Sequence, residues 1–253
     1  MYIFGIEVRF EGTDFAGWQV QPGRRTVQGE IECALARLFG GPVRLHGAGR
    51  TDAGVHALRA VAAFHVETDL DADTIGRALR AMLPPDILLL RAAPAREGFD
   101  PRRHALSRTY RYRILRGADP FRRRFVWERR GALRIEPMAR AVFDLLGERD
   151  HTSFAASTRK GRENTVRVDH ASWEEEGDEI RFTITANRFL HHMVRNIVGT
   201  FVEIGRGTRL SDGIAGLLEA RDRRLAGPTA PARGLCLVEI DYGEGWAARG
   251  PTA

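Results

Sequence analysis

The sequence predicts an α+β protein: two ferredoxin-like, RRM-like units sharing a largely antiparallel central sheet flanked by helices. Three observations predict it. Residues 1–95 run strand, helix, strand, strand, helix, strand, the order of a ferredoxin-like unit. Residues 96–253 repeat that grammar less regularly, with no sequence period linking the halves. No Gly/Ser-rich or Pro-rich linker separates them, so nothing in the composition lets the two units move freely.

In the first half, Tyr2, Phe4, Ile6, Val8 and Phe10 alternate with Ile3, Gly5, Glu7 and Arg9, the period of a half-buried strand. A helix follows, with Thr26 as its capping residue, Val27, Ile31, Leu35 and Leu38 at helical spacing, and Gly40 and Gly41 as its stop. "VRLHGAG" and "LRAVAAFHVE" read as two more strands. Asp71 or Asp73 then caps a second helix carrying Ile75, Leu79, Met82 and Leu83, which Pro84 and Pro85 end. "DILLLRAA" returns as a strand.

The second half has strands at "RTYRYRIL" and around "RFVWE", a helix at "EPMARAVFDLLGE", and strands at "TVRVDHASW" and "EIRFTITA". A long helix is expected from Arg188, a short one after Ser211, and a closing strand at "GLCLVEIDY".

A chain of 253 residues can bury a substantial core, and its apolar content of 43% is that of a globular protein rather than a disordered or fibrous one. No apolar run approaches the ~20 residues a membrane helix needs. "MYIFGIEVRF" lacks the basic start, apolar block and small-residue cleavage site of a secretory signal, so a cytoplasmic protein is expected. Cys33 and Cys236 both sit in apolar patterns, which predicts reduced, buried thiols. The net charge of +6 points to a polyanionic partner such as nucleic acid. Lys160 is the sole lysine among 39 basic residues, however, so arginine-rich composition alone accounts for part of that charge and only clustering is informative.

Three stretches could carry chemistry. In "GAGRTDAGVHAL", Asp52 sits between two strands among Gly47, Gly49 and Gly54, whose missing side chains allow tight turns and close approach of a ligand. Asp52 can equally be a turn residue bonding its own backbone. Arg50, two residues earlier, would favour its ionised form. In "RFLHHMVRNIVGTFVEIG", a helical projection puts Phe189, Leu190, Met193, Val194, Ile197, Val198, Phe201 and Ile204 on one half. Arg188, His191, His192, Arg195, Asn196 and Gly199 fall on the other, where Gly199 leaves room for another backbone. Adjacent His191 and His192 lack the i, i+4 spacing of a helical metal pair. "FDPRRHALSRTYRYRI" interleaves Arg102, Arg103, Arg108, Arg111 and Arg113 with Tyr110 and Tyr112, so one strand face can stack while the other meets phosphates or solvent. Tyr112 continues the apolar row into Ile114 and is expected in the core. No phosphate-binding, dinucleotide, CxxC or GxSxG motif is present, so neither a cofactor nor a metal is expected.

Together with "GTDFAGWQVQP" and "GLCLVEIDY", these stretches resemble the tRNA pseudouridine synthase A family, over five ordered motifs running from Gly12 to Tyr242. The resemblance implies the pseudouridine synthase fold and isomerisation of uridine to pseudouridine at positions 38, 39 and 40 of the tRNA anticodon arm, without cofactor or metal. It assigns the catalytic carboxylate to Asp52, the base-stacking tyrosine to Tyr110 and the arginine paired with the carboxylate to Arg195. Arg50 and the arginine-rich strand would hold the RNA backbone. It further implies a homodimer with tRNA lying across both subunits.

Moving the glycosidic bond from N1 to C5 needs a group that helps detach the base and then leaves, followed by removal of the C5 proton. A carboxylate can attack C6, attack the ribose C1′, or act as a base on the ribose, and the sequence leaves all three open. Two other readings compete: an RNA-binding module that has lost its chemistry, and a metal phosphohydrolase built on Asp52, His56 and His191, for which further clustered carboxylates are missing.

Overall fold

The computed structural model describes residues 2–156 and 164–248; Lys160 lies outside them. In chain order the elements are β1 (Tyr2–Phe10), α1 (Val27–Phe39), β2 (Leu45–Gly47), β3 (His56–Val66), α2 (Ala72–Met82), β4 (Ile87–Pro94), β5 (Ser107–Arg116), β6 (Trp127–Arg129) and α3 (Ile135–Ala141). β7 (Gly147–Asp150), β8 (Thr165–Glu176), β9 (Glu179–Ala186), α4 (Met193–Gly205), α5 (Gly213–Ala220) and β10 (Leu235–Asp241) follow. The class is α+β. Strand pairing is mostly antiparallel, as expected, with β5 and β6 running parallel.

Two compact units divide the chain: one runs to Leu106 and resumes at Leu237, the other is Ser107–Cys236. The sequence predicts the boundary at residue 95 and assigns the closing strand to the second half. The difference arises because β10 lies beside β3, a long-range pairing that no local pattern encodes.

In the first unit the strands lie in the order β4, β1, β3, β10, with β2 on β3. The local chemistry of its helices is as read. The Thr26 hydroxyl accepts from the Gly29 amide at 3.2 Å, Gly40 ends α1 in the left-handed conformation, and Asp71, not Asp73, caps α2 by accepting from Thr74 at 2.7 Å. Ile31, Leu35, Ile75 and Leu79 are fully buried with Ile6, Val8 and Phe64. β1, however, is not half-buried: Gly5 and Glu7 are covered as well. The Trp246 ring packs directly on Gly5, and Arg59 ion-pairs with Glu7. Cys33 is exposed rather than buried, because it follows Ile31 by two positions and so points about 200° away from it around α1. Cys236 is half-buried.

In the second unit the order is β5, β9, β8, β7, with β6 on β5. Its core is aromatic: the Trp173 and Phe182 rings lie 4.7 Å apart and Phe201 of α4 stacks on Phe182 at 6.0 Å. Each such ring removed from water contributes roughly 1.5–3 kcal/mol. α4 begins at Met193, not at Arg188. His192 has φ 60°, a left-handed conformation that no helix interior contains, and the preceding residues form a turn closed by the Met193 amide donating to the Leu190 carbonyl at 3.1 Å. Arg188 and His191 therefore do not continue the helical stripe of Arg195.

Candidate active-site residues

Asp52 lies, half-buried, in the connection from β2 to β3. The Val55 amide donates to the Asp52 carbonyl at 3.2 Å, closing a tight turn. The turn does not stand alone. The segment Gly12–Trp18 is bonded along it: Trp18 N–H donates to Thr51 O at 3.1 Å and Gly54 N–H to Phe15 O at 3.3 Å. The Gly12 amide donates to His56 Nδ1 at 3.0 Å. Trp18 is buried to 4% exposure, and the space it fills exists because residue 47 is glycine: a Cβ there would lie 2.5 Å from the indole nitrogen. That glycine accommodates the protein's own tryptophan, not a ligand as the sequence suggested. Gly49 is open, and Arg50 is exposed at the rim of the turn. The same segment is tied to α1 through Val27 N–H to Gly17 O at 3.2 Å and Gln28 N–H to Trp18 O at 3.0 Å.

The clamping role of Gly12–Trp18 was missed by residue-level reading, although "GTDFAGWQVQP" was among the stretches carrying the resemblance. His56, offered as a metal ligand in one reading, is 5% exposed and serves as an internal acceptor.

In the second unit, Tyr110 stands on β5 opposite Ile184, its ring edge-on to Phe189 with centroids 5.0 Å apart. The residue is half-buried, so a ring face is held in place without being sealed in. Tyr112, two positions on, is fully buried as expected. Its hydroxyl donates to Pro231 O at 2.7 Å, and burial pushes the phenol well above its ordinary pKa. Two arginines of this strand have internal partners. Arg113 makes a two-pronged ion pair with Glu179 at 2.5 and 2.8 Å, and Arg108 donates to the Asn187 carbonyl at 2.7 Å, so both are engaged inside the fold.

Arg195 occupies the first turn of α4 and is half-exposed. The face that sequence assigned to solvent or RNA is instead covered by residues 227–230. Ala230 N–H donates to Arg195 O at 3.0 Å, and Arg195 Nε donates back to Ala230 O at 2.8 Å. Pro228 O sits against Gly199 where any Cβ would collide, so the predicted approach of another backbone occurs, from within the same unit. Asn196 is fully buried: its amide donates to Phe154 O at 2.7 Å, and its oxygen accepts from Thr229 at 2.6 Å and Arg223 at 3.0 Å. His191 and His192 lie in the turn before the helix, with ring centroids 4.0 Å apart.

A family model described as tRNA pseudouridine synthase matches residues 6–102 and 141–243, which include Asp52 and Arg195 but not Tyr110. The chain is 42% identical to the tRNA pseudouridine synthase A of Geotalea uraniireducens, covering 93% of this chain and 97% of that protein. It is 42% identical to that of Halalkalibacterium halodurans (91% and 89% covered) and 43% identical to that of Moorella thermoacetica (94% and 98% covered). Matched along most of its length by the family model and by these full-length relatives, the chain belongs to the tRNA pseudouridine synthase family.

Proposed function

We propose that this protein isomerises uridine to pseudouridine in tRNA, at positions 38, 39 and 40 of the anticodon arm. The observation that carries the reading is the Asp52 turn: a half-exposed carboxylate on a loop whose backbone is bonded to a second loop anchored by buried Phe15 and Trp18. Such a carboxylate is oriented before substrate arrives, which lowers the cost of reaching a reactive geometry. Family membership and the sequence resemblance support the reaction class.

In the reaction, the bond between N1 and the ribose C1′ breaks and the base rotates. C5 then bonds to C1′, the C5 proton leaves to solvent, and N1, freed of the ribose, takes up a proton in its place. The product has the same atoms as the substrate, so no co-reactant is needed. Asp52 is the carboxylate that acts on the nucleoside. Arg195 is the arginine that the family resemblance pairs with this carboxylate. Tyr110 offers its ring to the uridine, which must leave the helical stack to be reached. Arg50, exposed at the rim of the turn, meets a phosphate of the RNA backbone. Arg113 is not assigned that role, because Glu179 already neutralises it.

A cytoplasmic homodimer with tRNA across both subunits completes the proposal. It is supported by the resemblance and the net charge of +6, and no helix among the described residues is long and apolar enough to cross a membrane.

The test is release of tritium from tRNA carrying 5-tritiated uridine, since only this isomerisation exchanges that hydrogen with water. Substrates with uridine at a single one of the three positions should each release it, and uridines outside the anticodon arm should not. Binding of tRNA without tritium release would identify an RNA-binding module instead. Sedimentation at micromolar concentration reads the dimer.

A further inference from the structure

The geometry points to Asn196 and Thr229 as positioning residues for the reaction, acting through the strap of residues 227–230 to aim the Arg195 guanidinium. The inference rests on the reading of Arg195 given above.

The strap has no regular secondary structure, yet it is pinned along α4 at every step. Gly227 N–H donates to Thr200 Oγ1 at 2.9 Å, and that hydroxyl donates to the Asn196 carbonyl at 2.8 Å. Pro228 O rests on Gly199. Thr229 Oγ1 donates to Asn196 Oδ1 at 2.6 Å, and Arg223 donates both to that oxygen at 3.0 Å and to Thr229 Oγ1 at 3.3 Å. The chain ends this course at Ala230, 1% exposed, with its amide and carbonyl both bonded to Arg195.

The side chain of Arg195 has many rotamers, and a half-exposed arginine ordinarily samples them. Here Nε has a fixed acceptor, so the fork beyond it has a fixed direction. The acceptor is a main-chain carbonyl, whose own place is set by Thr229 one residue earlier. Thr229 is in turn held by Asn196, the residue next to Arg195. The loop of bonds closes on itself within a few residues.

Asn196 is otherwise out of place. It is a fully buried amide in a helix whose neighbours Ile197 and Val198 are also fully buried. A buried polar group stabilises little relative to a well-packed apolar one, whereas it fixes a unique arrangement when every hydrogen-bonding position is filled. Asn196 donates to Phe154 O and its oxygen accepts two bonds, so both side-chain polar atoms are partnered and both lone pairs of Oδ1 are in use.

Thr229→Val keeps the shape and removes the donor, and Thr229→Ser restores it. In single-turnover tritium release, Thr229→Val should be slower by about tenfold or more, with tRNA Kd within about twofold of wild type and Thr229→Ser near wild type. An Arg195→Lys background cannot make the Nε bond to Ala230, so there Thr229→Val should cause no further slowing. Equal slowing in both backgrounds, or a wild-type rate for Thr229→Val, overturns the inference. Where Thr229→Val does not fold, Arg223→Met, which withdraws a donor from Asn196 Oδ1 and Thr229, takes its place with the same two outcomes. Wild-type protein that releases no tritium, or Arg195→Ala that releases it at the wild-type rate, refutes the reading of the site instead, so the two failures are told apart.

Discussion

Gly17 lies against Thr51: a Cβ at residue 17 would sit 2.7 Å from the Thr51 carbonyl oxygen, and Gly17 itself has φ +97°. Any side chain at residue 17 is therefore penalised twice, by backbone conformation and by the carbonyl preceding Asp52. Gly17→Ala should cost about 1–3 kcal/mol of stability. Its larger effect should be on the reaction, because the turn carrying Asp52 must yield. Folded Gly17→Ala protein should retain tRNA binding and lose at least about tenfold in single-turnover rate, since small misplacements of reacting groups carry such penalties. An unchanged rate would show that the clamp does not set the carboxylate.

Asp52→Asn should abolish tritium release and leave tRNA affinity within a few-fold of wild type, because phosphate contacts supply most of RNA affinity and one neutralised turn residue adds none. Filter binding alongside the release assay checks both halves of the statement.

Tyr110 and Tyr112 stand two residues apart and should behave as opposites. Tyr110→Leu removes the ring face, worth about 1–3 kcal/mol of stacking, and should slow the reaction by up to roughly a hundredfold. Tyr110→Phe keeps the face. If the phenol takes part in removing the C5 proton, this variant should bind tRNA normally yet fail late, while still processing tRNA containing 5-fluorouridine, which has no such proton. Tyr112→Phe should leave the rate unchanged and lower stability by about 1 kcal/mol through the orphaned Pro231 carbonyl.

His151 is fully buried, and burial lowers its pKa. Its Nδ1 contacts the Arg149 carbonyl at 3.0 Å, which makes Nδ1 the protonated nitrogen, and Nε2 has no partner. The folded state thus holds a neutral ring, whereas the unfolded chain takes up a proton near pH 6.5. The contribution is fully present above that pH and is lost as pH falls below it, with a slope of up to about 1.4 kcal/mol per pH unit. Urea denaturation between pH 7.5 and 5 should show the decline, and His151→Gln should flatten it. Equal slopes would place the titration elsewhere.

The parts of the fold legible in the sequence are those settled within a few residues. Thr26 and Asp71 cap helices because a short oxygen-bearing side chain before an amphipathic run can accept from an amide three residues on, whatever lies beyond. The start of α4 was not legible for the same reason reversed. Phe189 and Leu190 fall at helical spacing with Met193, but Phe189 is placed there to meet Tyr110, and a turn satisfies that as well as a helix. The polar face of α4 reads as solvated until the strap is known to lie on it. Arg113 reads as a phosphate contact until Glu179, distant in sequence, is found beside it. Asp52 was identifiable as an unusual carboxylate, whereas the loop that holds it was visible only as part of a resemblance.

The return of β10 to the first unit also bears on the order in which the protein can be made. The second unit is one continuous stretch of chain, Ser107–Cys236, complete as soon as it has left the ribosome. The first unit begins earlier and finishes later: until residues 237–248 emerge, β3 lacks its neighbour and Gly5 lacks the tryptophan that covers it. An exposed strand edge beside an uncovered apolar face invites pairing with other chains. Synthesis thus leaves the segment bearing Asp52 without its last strand until residues 237–248 have left the ribosome.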